Sequence, residues 1–156
     1  MTLKEAEDIT SHVINLIAAK PRSAYCRVSQ LRGHPLPVIY NAFCLVIAKQ
    51  RQIGSYDPNL RKVSHAYADK ADGLVGSLSI AVLCDADVDR LGQLPKESPE
   101  FKRLFLEAIH RRREQSDLEW QKTDREAFVA FDNYCWSLES DDPLYWQKIY
   151  THLAIK

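Results

Sequence analysis

An all-α fold, six to eight helices in one compact domain over 1–156, is what this sequence predicts, and three observations predict it. Helix-capping signals recur along the chain, apolar residues return behind them at i, i+3, i+4 and i+7, and a stretch at about 37–52 is apolar on nearly every side. A helix of that last kind must be surrounded by others, so it is expected at the centre. The chain has 156 residues, 46% hydrophobic and 27% charged, enough to bury a core without disulfides or metal. That composition excludes a disordered chain, a collagen-like repeat and a small disulfide scaffold.

Each element has its own signal. Thr2-x-x-Glu5 is a capping box, and Ala6, Ile9, Val13, Leu16 and Ile17 follow on one face up to Pro21. Ser23 is expected to cap a short helix that buries Tyr25, Val28 and Leu31 and stops at Gly33. The central helix follows. Asp57-Pro58 opens another helix, with Leu60, Val63 and Tyr67 on one face until Gly73. Residues 74–84 fit a buried helix or a strand, because period alone does not separate short apolar runs. Asp85 is expected to cap a short helix carrying Val88 and Leu91. Ser98-Pro99-Glu100 opens a helix with Phe101, Leu104, Phe105, Ala108 and Ile109 along one stripe. Thr123-x-x-Glu126 is a second capping box, leading Ala127, Phe128, Phe131, Tyr134, Cys135 and Leu138. Asp142-Pro143 opens the last helix, with Tyr145, Trp146, Ile149, Tyr150 and Leu153.

Charge narrows the function classes. Lys plus Arg and Asp plus Glu stand at 21 each, so no bulk field holds nucleic acid or an anionic membrane. The charge is uneven, however: residues 1–78 carry 10 basic and 6 acidic side chains, net +4, and 79–156 carry 11 and 15, net −4. Cys26, Cys44, Cys84 and Cys135 show no Cys-x-x-Cys or Cys/His zinc spacing. The opening MTLKEAEDIT is acidic where a signal peptide is basic, and the apolar runs 36–48 and 74–84 fall short of the roughly 20 residues of a membrane span. A cytoplasmic protein with free thiols and no membrane contact is expected.

Candidate chemistry is sparse. Arg103 and His110 lie seven residues apart, on one face of a helix. This Arg-x6-His spacing resembles the Arg-x4–6-His motif of HEPN-type ribonucleases, small helical bundles in which the Arg and His of two protomers meet to cleave RNA. The resemblance implies catalytic roles for Arg103 and His110. It is confined to this spacing, which also occurs at Arg27-x6-His34, and Leu104 stands where that family favours a polar residue. Glu107-x-x-His110 is half of a di-iron signature with no second copy. His65 and Asp69 are one i, i+4 pair, too few for a metal site. Asp85-x-Asp87-x-Asp89 suggests a calcium loop, but Arg90 and Lys96 stand where the loop needs Gly and Glu, so first-turn acidity is the reading. No metal and no cofactor is expected.

A helix-turn-helix around Gly33 would make 37–52 the recognition helix, yet it has no cation before Lys49. Arg111, Arg112 and Arg113 form the one dense basic run, at a helix C-terminus where cations are expected on dipole grounds. They mark an alternative nucleic-acid site. Cys135 shares a stripe with Phe128 and Phe131 and reads as a small core residue.

What remains is aromatic. Trp120, Trp136, Tyr145, Trp146 and Tyr150 fall within 31 residues, and Trp136 lies off the apolar stripe of its helix. Aromatic side chains left on a surface are the usual anchors of protein interfaces. The function expected is therefore non-enzymatic protein–protein binding in the cytoplasm, of an adaptor, regulatory or inhibitor type, through 124–154. The partner would be another protein or a second copy in a homodimer.

Overall fold

The computed structural model describes residues 1–18, 25–54, 82–115 and 125–155. The fold is all-α, with six α-helices among the described residues. They are α1 (Leu3–Ala18), α2 (Leu36–Ile53), α3 (Asp85–Gly92), α4 (Pro99–Gln115), α5 (Arg125–Ser137) and α6 (Tyr145–His152). The helix expected at 58–73 and the Thr123 capping residue lie outside the described residues, as do Ser23, His65, Asp69 and Trp120.

α1 begins as its capping box requires. The Thr2 N–H donates to Glu5 Oε2 at 2.8 Å and the Glu5 N–H to Thr2 Oγ1 at 3.2 Å. Ala6, Ile9, Val13 and Ile14 then face α2. α2 is the centre: Leu36, Ile39, Tyr40 and every residue of 42–48 are buried. Seven consecutive buried residues cover almost two turns, so neighbours must lie all round the helix. Pro37 stands in its first turn, where a missing N–H costs nothing, and Pro35 precedes it in extended conformation. Phe128, Phe131 and Cys135 of α5, Tyr145 and Ile149 of α6 and Leu153, which caps α6, complete this core.

A second cluster gathers Leu83, Leu91, Phe101, Ala108 and Ile109, with Tyr25 wedged against Phe101 and Phe105 at 6.4 and 5.7 Å between ring centroids. The junction between the clusters is a strand of two residues. Val82 and Leu83 pair in parallel with Cys26 and Arg27, and both are fully buried. Successive strand side chains point to opposite faces. Val82 accordingly enters the first cluster and Leu83 the second. Of the apolar run 74–84, this end is therefore extended, and the rest lies outside the described residues.

Three sequence expectations are corrected. The short helix expected after Ser23 is instead extended backbone at 26–27 followed by a 3-10 turn, Val28–Leu31. Only Leu31 of that turn is buried, and Val28 is exposed. Four residues followed by left-handed Arg32 (φ 57) and Gly33 (φ 76) leave no room for an α-helical turn to propagate. Asp85 is the first residue of α3 rather than its cap, which is Cys84. The Asp85 carboxylate turns away to accept from the Ser29 hydroxyl at 3.0 Å. α6 starts at Tyr145, later than Asp142-Pro143 suggests, because Asp142 closes a turn by accepting the Leu144 N–H at 2.8 Å.

The C-terminal helix ends in a Schellman motif. Ile155 N–H donates to the Tyr150 carbonyl and Ala154 N–H to that of Thr151, with Ala154 left-handed at φ 54. The Tyr150 hydroxyl donates to the Met1 carbonyl at 2.8 Å, tying α6 to the start of α1. Among the described residues no helix is long and apolar enough to cross a membrane.

Candidate functional site

The aromatic residues of the C-terminal part separate into core and surface. Tyr145 is 2% exposed, and its hydroxyl donates to the Ala48 carbonyl of α2 at 2.5 Å. It is a core residue, and it leaves the set expected at an interface. Trp146 and Tyr150 are half-buried against the same core, Trp146 edge-on to Tyr145 at 5.3 Å. Trp136 is different. It is 62% exposed, although it is the largest kind of apolar side chain.

Two helices hold it there. On α5 a step of three or four residues returns to one face, so Val129, Asp132 and Trp136 share a side turned away from Phe128, Phe131 and Cys135. Val129 is 44% exposed. From α2, the Arg51 guanidinium lies over the Trp136 ring, 4.4 Å from its centroid. Arg51 Nε and Nη2 both donate to Asp132 Oδ1, at 3.1 and 3.0 Å. The guanidinium is thus fixed by a carboxylate one turn before the indole it covers, and a cation–π contact adds to that hold. The next residue of α2, Gln52, donates its side-chain N–H to the Ser140 carbonyl at 3.3 Å. The C-terminal end of α2 therefore positions both Trp136 and the turn that follows it. Spacing alone does not single out Arg51, which lies 81 residues from Asp132.

The catalytic alternative is arranged differently. Arg103 Nη1 donates to Glu107 Oε1 at 3.1 Å, one turn along an exposed face of α4, and His110 is exposed. Glu107 is engaged by Arg103 rather than held ready for a cation. In the basic run, Arg111 Nη2 donates to Asp87 Oδ1 at 2.9 Å, and Arg112 is half-buried. The side chain of Arg113 lies outside the described residues.

The three aspartates considered as a calcium loop act as clamps. Asp85 accepts from Ser29, Asp87 from Arg111 and from the Cys84 thiol at 2.9 Å, and Asp89 pairs with Arg27 at 2.6 Å. They join the strand and 3-10 turn to α3 and α4. Among the described residues no three His, Cys, Asp or Glu side chains come together as metal ligands.

An open hollow of about 380 Å³ lies between α5 and α6, lined by Tyr134, Leu144, Gln147, Lys148, Thr151 and His152. Its two strongest features are already engaged. His152 stacks on Tyr134 at 4.2 Å, and the Lys148 ammonium pairs with Asp142, whose carboxyl it holds below the usual carboxylate range.

The thiols divide in the same way. Burial pushes Cys44 well above its ordinary range, and Cys135 up to about 12. Both are core residues with no thiolate at neutral pH. Cys84 is exposed. Maleimide labelling of the native protein, read by peptide mass spectrometry, should therefore mark Cys84 within minutes and leave Cys44 and Cys135 unmarked until denaturant is added. Early label on Cys44 would mean that the α2 core opens readily.

The sequence and fold stand apart in comparison: the chain matches no protein-family model, no curated protein and no solved structure, so its own geometry carries the functional reading.

Proposed function

We propose that this chain is a non-enzymatic protein of the cytoplasm that works by binding another protein through the outer face of α5, with Trp136 as the anchor. The observation that supports it is the combination at Trp136: an indole 62% exposed, yet held in one place by Arg51 and Asp132. A residue kept for packing would bury its ring, and a loose surface residue would lack a charged support. Trp and Arg are the residues most enriched where interfaces concentrate their binding energy. Holding the ring beforehand lowers the ordering cost of association. The ribonuclease and nucleic-acid alternatives have no comparable support, because Arg103 and Arg111 already spend their guanidinium groups on Glu107 and Asp87.

The test is site-specific photo-crosslinking in cells. A photoreactive residue replacing exposed Asn133 should give a discrete adduct that Trp136→Asp abolishes, and one replacing exposed Lys102 on α4 should give none. Trp136→Asp should keep the helical circular dichroism, and Trp136→Ala should cost no more than about 1 kcal/mol of stability, the worth of an exposed cation–π contact. An adduct that survives Trp136→Asp, or none at all, defeats the proposal. So would unfolding of Trp136→Ala, which would make the ring a core residue.

A further inference from the structure

The charge around Trp136 says what kind of partner fits. Residues 126–142 contain five acidic side chains, Glu126, Asp132, Glu139, Asp141 and Asp142, and no Lys or Arg. Asp132 and Asp142 are neutralised by Arg51 and Lys148. Glu139 and Asp141 are exposed, and neither carboxylate has a partner among the described residues. Both lie in the turn that Gln52 pins beside Arg51, three and five residues beyond the indole. Trp136 is also the next-to-last residue of α5, and that helix has no basic residue in its last turn. Arg51, which α2 brings to this helix end, is already paired with Asp132, so the helix C-terminus adds to the local negative charge. Arg125 stands at the other end of α5, roughly 16 Å away at 1.5 Å per residue.

The exposed carboxylates set up a negative field that attracts cations, while the part of the indole that Arg51 leaves open offers an apolar group a surface to pack on. The same field opposes a two-fold dimer across this face, which would set the acidic turn against its own copy. Resting on the reading of α5 as a docking face, we infer that its occupant is a basic protein segment, one that presents Lys or Arg beside an apolar side chain. Arg51 covers one side of the indole, and the partner's apolar group takes the exposed remainder while its cations meet Glu139 and Asp141.

Synthetic peptides of twelve residues test this, combining Leu with Arg, with Glu or with Ser. The indole N–H resonance of Trp136, assigned by its loss in Trp136→Phe, is the readout. The Arg peptide should shift it in a saturable way, at least tenfold more tightly than the Ser peptide, and the Glu peptide should not bind. Raising salt from 50 to 500 mM should weaken the Arg peptide several-fold. The double variant Glu139→Lys, Asp141→Lys should weaken it at least fivefold, and Trp136→Ala, which lacks the reporting indole and is followed by calorimetric titration instead, should not bind. If Arg and Ser peptides bind equally and the double variant changes nothing, the basic partner is wrong while the docking face stands. If the crosslink from position 133 disappears in Trp136→Asp but no peptide moves the resonance, the partner class is again overturned. A dimer in sedimentation that depends on Trp136 and ignores salt would overturn it too.

Discussion

Phe43→Ala should remove about 3–5 kcal/mol of stability, the usual cost of deleting a fully enclosed aromatic ring. Phe43 is 0% exposed at the middle of α2, within an unbroken buried run. The core it belongs to draws side chains from α1, α5 and α6 as well as α2, so a space left there does not close by the shift of one helix. Against the roughly 5–15 kcal/mol of margin that a domain has, that loss should lower the unfolding midpoint sharply. Urea unfolding followed by circular dichroism measures it. A loss below about 1 kcal/mol would show that α2 is not enclosed as described.

Tyr145→Ala should cost a similar amount, about 3–5 kcal/mol, and Tyr145→Phe about 1 kcal/mol. The ring fills the core between α2, α5 and α6, and the hydroxyl is a single bond to the Ala48 carbonyl. The two variants together separate packing from hydrogen bonding. Alkali tests the same contact. Burial raises the Tyr145 phenol above its ordinary value of about 10, and Tyr40 is raised for the same reason. The unfolded chain therefore releases these protons first, so stability is full below about pH 10 and falls as pH rises beyond it. Tyr145→Phe should flatten that fall. If Tyr145→Ala is as mild as Trp136→Ala, the division into core and surface aromatics is wrong.

The helices were legible because their signals are local. A capping box such as Thr2-x-x-Glu5 works between residues one turn apart, and the α4 stripe from Phe101 to Ile109 needs only the 3.6 period. The same holds for α2, since an all-round apolar sequence has nowhere to go but the centre. The short segments depart from their local signals where a longer-range bond outweighs the local preference. Ser29 draws Asp85 away from capping, and pairing with Val82 and Leu83 keeps 26–27 extended.

The candidate site shows the same division more sharply. That Trp136 stands off the apolar stripe of its helix follows from i, i+3, i+4 arithmetic on α5 alone. By itself the sequence determined the six described helices, the central position of α2 and the acidity of 126–142, since composition and short-range spacing suffice for each. Tyr145 looked the equal of Trp136, because an apolar arc does not reveal which of its members meets another helix. Only the tertiary structure decided that Tyr145 reaches Ala48 while Arg51 comes over Trp136. Those contacts span 97 and 85 residues, distances over which chain packing and not periodicity chooses the neighbour.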